Sequence, residues 1–132
     1  MEWKRTAFVI SDDELRDRAL MSFYRFQYLT DSYHVEKWTN REAWIQLAQN
    51  GNEACECYCC FLYAINRWFI PRKDWLVYFT YGLNAKPDEH AQVIEDCYRC
   101  DLTGQGVLRR FKSLEILGAW MKGYCRQREW IA

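Results

Sequence analysis

The chain has 132 residues, of which 50% are hydrophobic and 27% charged, a composition typical of a globular protein. Its 18 basic residues are balanced by 18 acidic ones, so no net field attracts nucleic acid or an anionic membrane. The longest apolar run covers residues 57–65 and is far below the roughly 20 residues that a membrane span requires.

The first helix is predicted to begin after Ser11, because Ser11 and Glu14 have the spacing of a capping box. One side of this helix carries apolar residues at helical spacing: Leu15, Ala19, Phe23, Phe26 and Leu29. Its other side also carries apolar residues: Leu20, Met21, Tyr24 and Tyr28. A helix that is apolar on two sides packs between two partners or presents one side to another chain.

A loop and a short helix are predicted next. Residues 30–38 lack a clear period and are expected to form the loop. Thr39 and Glu42 repeat the capping-box spacing, which predicts the start of a helix. The Asn50-Gly51 pair is a typical helix stop, so we expect this helix to be short.

The following helix is the predicted centre of the fold. Asn52 can cap it, and Pro71 ends it after Ile70. Residues 57–65, which include three cysteines, are apolar on every side of this helix. That pattern is typical of a helix surrounded by others.

Residues 75–81 give conflicting signals. Their β-branched and aromatic side chains favour a strand, whereas Pro71 and Asp74 favour the first turn of a helix. We predict a helix, because a lone strand needs a partner and residues 7–10 are the only other candidate strand.

Two helices are predicted in the C-terminal third. The first begins at Pro87, has an acidic first turn and runs to about Asp101. Residues 103–106 contain two glycines and break the chain. The final helix presents a face of apolar residues: Phe111, Leu114, Leu117, Met121, Tyr124 and Cys125.

These elements predict an all-α protein, a compact single-domain bundle of five or six helices over residues 1–132, with the cysteine-rich helix at its centre. The alternative is an α+β fold with a small hairpin from residues 7–10 and 75–81. Seven cysteines cannot all pair within one chain, and residues 1–5 lack the apolar run of a signal peptide. We therefore expect reduced thiols and a cytoplasmic location.

Four cysteines raise the question of a structural zinc site. Cys97 and Cys100 form a C-x-x-C motif, and Cys55 and Cys59 lie one helical turn apart, so together they could supply four thiolates. However, all four fall in predicted helices, and Cys55 and Cys59 lie among large apolar residues. Inert buried thiols are the favoured interpretation, and no metal, cofactor or small-molecule ligand is predicted.

Catalysis by a cysteine and histidine pair is not predicted either. The chain has only two histidines, His34 in a predicted loop and His90 near a predicted helix start. Neither lies in a recognisable catalytic motif, and a capping or surface histidine is the commoner case. We expect a protein that is not an enzyme.

The aromatic content favours protein–protein interaction. Seven Trp, nine Tyr and seven Phe make up 17% of the chain, more than one small core buries completely. Tyr, Trp, Met and Arg are enriched in interface cores and hot spots. The candidate binding residues, on the first helix and the following segment, are Arg18, Met21, Tyr24, Arg25, Tyr28, Tyr33 and Trp38. The expected partner is another protein or a second copy of the chain, and the expected role is that of a regulator, inhibitor or subunit.

A nucleic-acid-binding helical protein is the alternative. The candidate contacts are basic residues of the C-terminal segment: Arg109, Arg110, Lys112, Lys122, Arg126 and Arg128. Trp120, Tyr124 and Trp130 lie between or beside them and could stack on bases. Against this, the preceding segment, residues 86–101, is acidic and would neutralise a neighbouring basic helix.

Overall fold

The computed structural model describes residues 10–99 and 101–132, and all regular secondary structure in that part of the chain is helical. The α-helices are α1 (Asp12–Thr30), α2 (Ser32–Asn40), α3 (Trp44–Ile65), α4 (His90–Tyr98) and α5 (Gly104–Gln127). Two 3-10 helices, Lys73–Trp75 and Tyr78–Gly82, lie between α3 and α4. The predicted all-α class is confirmed, although several helix boundaries differ from the prediction.

Helix α1 forms as its sequence predicts. The Ser11 hydroxyl accepts a hydrogen bond from the backbone N–H of Glu14 at 3.1 Å, which caps the helix. The predicted apolar stripe is buried: Leu15, Ala19, Phe23, Phe26 and Leu29. This stripe packs mainly against α3. It also approaches α5, where Gly118 leaves room for the Phe26 ring, since a Cβ at that position would lie 3.0 Å from it.

The predicted loop over residues 30–38 is wrong, because this stretch forms most of α2. The Asp31 carboxylate accepts the backbone N–H of His34 at 2.9 Å and so caps a new helix directly after α1. The second predicted capping box does not form. Thr39 lies inside α2, where its hydroxyl donates to the Val35 carbonyl, and the chain turns through Glu42 at a φ of 54°.

The two helices predicted over residues 41–70 are a single helix, α3, which ends at Ile65. Gly51 does not stop it, because this glycine lies in the helix interior against Arg110 of α5. A Cβ at position 51 would lie 3.1 Å from the guanidinium carbon, so the absence of a side chain makes room for the arginine. Residues 61–65 are all buried, and α3 packs against α1, α2, α4, α5 and the second 3-10 helix. Its predicted central position is confirmed.

Residues 75–81 form neither the predicted α-helix nor the alternative strand. They belong to the two 3-10 helices and the turn between them. The Tyr63 hydroxyl of α3 donates to the Leu76 carbonyl at 2.6 Å and fixes this segment against the core. Residues 7–9, most of the proposed partner strand, lie outside the described part of the chain.

Helices α4 and α5 close the bundle. Helix α4 begins at His90 and ends at Tyr98, within the predicted span of residues 87–101. The Thr103 hydroxyl accepts the backbone N–H of Gly106 and caps α5. The predicted apolar face of α5 is buried except at the half-buried Tyr124. No helix within residues 10–99 and 101–132 combines the length and the apolar character needed to cross a bilayer.

Candidate functional site

The outer side of α1 presents large side chains to solvent. Met21 is 73% exposed, Tyr24 and Tyr28 are each 51% exposed, and Tyr33 at the start of α2 is 71% exposed. We call Met21, Tyr24, Tyr28 and Tyr33 the aromatic face. The first three are spaced by three and four residues, which places them on one side of the helix. Of the second apolar side that the sequence predicts for α1, Met21, Tyr24 and Tyr28 are exposed, whereas Leu20 is half buried and packs against the core.

His34 organises the tyrosine rings at one end of the aromatic face. Its ring centroid lies 4.0 Å from that of Tyr28 and 5.2 Å from that of Tyr33, the latter in an edge-on arrangement. The Asp31 carboxylate holds the imidazole at 2.9 Å. Hydrogen bonding from the backbone N–H of His34 lowers the pKa of Asp31, with a further contribution from the imidazole. The imidazole of His34 therefore contacts both tyrosine rings.

Sequence reasoning did not include His34 in the binding site, although a local signal was available. Asp31 and His34 are three residues apart, the spacing that lets an N-cap carboxylate reach both the backbone N–H and the side chain of the third residue. Treating residues 30–38 as a loop concealed this spacing. The Asp31 cap starts α2, and this helix brings both Tyr33 and Tyr28 into contact with the His34 ring.

The predicted arginines border the aromatic face. The Arg25 guanidinium carbon lies 5.4 Å from the Tyr28 ring centroid, and this side chain also pairs with Glu53 of α3. Arg18 pairs with Glu14 one turn earlier on α1 at 2.8 Å. Trp38 is different, because it is half buried and packs against the core. The structure thus places Arg18 and Arg25 at the edge of the aromatic face, whereas Trp38 belongs with the core.

An apolar groove continues the aromatic face beyond Met21. It has a volume of about 240 Å³ and lies between α1, α3 and the segment that follows α3. The residues that line it are Arg18, Met21, Ser22, Cys60, Ala64, Trp68 and Ile70. The sequence predicts that the central helix continues to Ile70, whereas the structure ends it at Ile65, which leaves Trp68 half buried and Ile70 exposed. Met21 belongs to both features and joins them into one surface.

The 3-10 segment carries a second exposed aromatic group that the sequence did not predict. The Trp75 and Phe79 rings are stacked with centroids 5.7 Å apart, and the Tyr78 ring packs edge-on at 5.5 Å from Trp75. Trp75 and Tyr78 are both exposed. Phe79 packs against the core, so Trp75 and Tyr78 are the exposed members of this group.

The predicted nucleic-acid contacts do not form one surface. Arg109 and Lys112 are exposed near the start of α5, whereas Arg126 and Arg128 are exposed at its other end. Arg109 and Arg126 are 17 residues apart, which corresponds to about 25 Å along the helix. Between the two groups, the exposed side chain at Ile116 is apolar. Lys122 is half buried, and the Arg128 guanidinium carbon stacks 3.7 Å from the Tyr124 ring centroid.

Arg110 requires a correction, because it lies in the interior and not on a basic surface. Only 4% of it is exposed. Its guanidinium donates to the Ala48 carbonyl at 3.1 Å and to the Asn52 side-chain oxygen at 2.6 Å, both on α3. Consecutive residues on an α-helix are rotated by about 100° around its axis. Arg110 therefore faces α3, whereas its neighbour Arg109 faces solvent.

His90 is a buried hydrogen-bonding group with no cysteine among its hydrogen-bond partners in the described part of the chain. The Thr80 hydroxyl donates to the Val77 carbonyl at 2.6 Å, so it accepts from Nε2–H of His90 at 2.9 Å. The Tyr58 hydroxyl then donates to Nδ1 of His90 at 2.6 Å. Burial lowers the pKa of His90 to about 4, and the charge of Lys86 adds to the effect. The imidazole is therefore neutral at pH 7, and its surroundings are those of a structural core residue.

The four cysteines considered as a zinc set, which the sequence did not favour, are not all within the described part of the chain. Cys55, Cys59 and Cys97 are free and buried, and Cys100 lies outside the described part of the chain. Within residues 10–99 and 101–132, no group of three or more His, Cys, Asp or Glu side chains has the arrangement of a metal site.

Comparison with known proteins adds no family to these observations. The chain matches no protein-family model, no curated protein and no solved structure. Its function is therefore inferred from the geometry of its own residues.

Proposed function

We propose that the protein is a non-enzymatic interaction module that binds a macromolecular partner through the aromatic face, and that this partner is a second copy of the chain. The observation that carries the proposal is the exposure of Met21, Tyr24, Tyr28 and Tyr33 on one rigid side of the bundle. A contiguous apolar surface bordered by polar residues is typical of an interaction site. A symmetric dimer is also the commonest form of self-association.

The composition of the aromatic face supports a binding role. Tyrosine and arginine are enriched among the residues that dominate interface energies, and methionine is enriched in interface cores. Fully burying one large apolar side chain stabilises a complex by about 1.5–3 kcal/mol relative to leaving it exposed. The rings of Tyr28, Tyr33 and His34 already pack on one another, so little side-chain freedom is lost when a partner covers them.

Charge complementarity favours a second copy as the partner. The net charge is zero, so two copies do not repel each other at long range. On α1, Asp17 lies four residues before Met21 and Arg25 lies four residues after it, and both are exposed. If two α1 helices pack antiparallel about a two-fold axis near Met21, Asp17 of each copy lies opposite Arg25 of the other. The same surface then serves both copies, as a two-fold interface requires.

The proposal includes a cellular setting. A small dimer of this kind would act as a regulator, an inhibitor or a subunit that presents its surface and performs no chemistry. We place it in the cytoplasm, because a reducing compartment keeps a chain with an odd number of cysteines as free thiols. Nucleic acid is the less supported partner, since the basic residues of α5 are divided between its two ends.

Charge reversal tests the proposed two-fold contact. Sedimentation equilibrium should show a dimer for the natural chain, and Asp17→Arg or Arg25→Asp alone should weaken it by placing like charges opposite each other. An equimolar mixture of the two variants should recover dimers, because opposite charges then face each other at both contacts. Glu115→Arg, an exposed charge reversal on α5, is the matched control and should leave the dimer unchanged.

Two results would contradict the proposal. A natural chain that remains monomeric at all accessible concentrations excludes self-association through this face. Binding to DNA or RNA at low salt that Arg109→Glu and Lys112→Glu abolish would instead support the nucleic-acid alternative. If the mixture of the two variants stays monomeric while the natural chain dimerises, another surface forms the dimer.

A further inference from the structure

The stretch between α3 and α4 is fixed to the bundle at its two ends and near its middle. We call residues 66–85 the connecting segment. The side-chain amide of Asn66 donates to the Ala85 carbonyl at 2.9 Å and accepts the backbone N–H of Ala85 at 2.8 Å, which joins the two ends. The hydrogen bond from the Tyr63 hydroxyl to the Leu76 carbonyl holds the middle on α3. The side chains that this segment exposes are therefore carried by an anchored backbone.

The connecting segment exposes three large apolar side chains. Trp75 is 47% exposed, Tyr78 is 65% exposed and Ile70 is 50% exposed. The Phe79 ring, which packs against the core, stacks on the Trp75 ring, and the Tyr78 ring packs edge-on against both. Trp and Tyr are enriched where lipid headgroups meet the hydrocarbon of a bilayer, because the ring is apolar while its N–H or O–H group stays hydrated.

The connecting segment is basic, although the chain as a whole is neutral. It contains Arg67, Arg72 and Lys73 but only one acidic residue, Asp74. The side chains of Arg72 and Lys73 are 82% and 81% exposed. The three cations pair with carboxylates at the surface, those of Asp12, Asp74 and Glu56. Because exposed ion pairs contribute little, anionic groups of another surface can replace these carboxylates.

We propose that the connecting segment binds the surface of an anionic lipid bilayer. The Trp75 and Tyr78 rings enter the boundary between headgroups and hydrocarbon, and Arg72 and Lys73 contact the anionic headgroups. Peripheral binding of this kind combines buried apolar area with attraction between basic residues and anionic lipids. The cations directly precede the exposed rings in the sequence, so one short stretch supplies both contributions.

A net charge of zero does not oppose this contact. At physiological ionic strength, charges on the surface act over about 8 Å, so a bilayer responds to the cations next to it and not to the sum over the chain. The cytoplasmic leaflet carries anionic lipids, which agrees with the proposed cytoplasmic location. The connecting segment shares no residue with the aromatic face, so membrane binding and dimer formation use different surfaces.

Co-sedimentation with lipid vesicles tests the proposal. The natural chain should bind vesicles that contain phosphatidylserine and should not bind vesicles of pure phosphatidylcholine. Arg72→Gln combined with Lys73→Gln should weaken binding more than about tenfold, since each basic residue near an anionic surface contributes roughly fivefold. Tyr78→Ala should weaken it about threefold or more, because an exposed ring no longer enters the bilayer. Arg109→Gln combined with Lys112→Gln is the matched control, since it removes two exposed cations from α5 and should leave binding unchanged.

Ionic strength supplies a second readout that does not require a variant to fold. Binding of the natural chain should fall steeply as salt is added, because salt screens the cations from the lipid headgroups. Equal binding to both kinds of vesicle, or equal weakening by the α5 control, would overturn the proposal. The dimer and the membrane contact also fail separately. A chain that dimerises but binds no vesicle excludes the membrane contact alone, and a monomer that binds the anionic vesicles excludes the dimer alone.

Discussion

On the outer side of α1, large apolar side chains face solvent, and the neighbouring Arg18 and Arg25 pair with carboxylates at the surface. Around α3 the arrangement is reversed, because Arg110 and His90 are buried and make hydrogen bonds to residues of α3. Exposed rings contribute little to folding and remain available to a partner. Buried polar groups contribute to folding only while all their partners are present. Stability measurements should therefore respond to the interior, and binding measurements to the aromatic face.

The largest expected difference is between the two arginines. Arg110→Met removes the charged donor from the Ala48 carbonyl and from the Asn52 side-chain oxygen, so it should lower the free energy of unfolding by about 1.5–3 kcal/mol. Arg25→Met, which breaks an exposed ion pair, should cost about 0–1 kcal/mol. Urea denaturation of both variants checks this. Equal losses would show that the interior contacts of Arg110 contribute no more than a surface pair.

His90 gives the stability of the interior a pH dependence. The native pKa is about 4 and the unfolded value about 6.5, so the unfolded chain takes up the proton first. The stability from the neutral imidazole is present above about pH 6.5 and falls as the pH drops towards 4. Between roughly pH 7 and pH 5, we expect a loss of about 2 kcal/mol. In His90→Gln, the urea midpoint should change much less between pH 7 and pH 5 than it does in the natural chain. If the midpoint of the variant depends on pH as strongly as that of the natural chain, the assignment to His90 is contradicted.

The difference between the surface of α1 and the interior also separates the features that the sequence could predict from those that it could not. The cap and stripe of α1, the apolar residues 61–65 and the buried face of α5 follow from local spacing, and the structure has all three. The spacing of Met21, Tyr24 and Tyr28 predicts a second apolar side of α1 but leaves open whether it packs in the core or faces solvent; the structure exposes all three. These features need no knowledge of distant residues.

The interior polar groups could not be predicted in this way. Gly51 has the pattern of a helix stop, and Arg110 resembles the other basic residues of α5. Each is explained only by the other, 59 positions away in the sequence, since the arginine occupies the space that a side chain at position 51 would fill. His90 likewise depends on Tyr58 and Thr80 from two other elements. Local signals do not record such contacts, except at His34, where the Asp31 cap was readable.

The smallest expected effect on stability is at Tyr33, the most exposed tyrosine. The binding proposal predicts that its substitution nevertheless weakens the dimer. Tyr33→Ala removes a ring that is 71% exposed, so the free energy of unfolding of the monomer should change by no more than about 0.5 kcal/mol. The dimer dissociation constant should nevertheless rise about fivefold or more, the effect of losing roughly 1 kcal/mol at an interface. Sedimentation equilibrium and urea denaturation of the same preparation separate the two quantities. Tyr78→Ala, which removes an exposed ring from the 3-10 segment, is the matched control. If Tyr78→Ala weakens the dimer and Tyr33→Ala does not, the second aromatic group is the binding surface and the aromatic face is not.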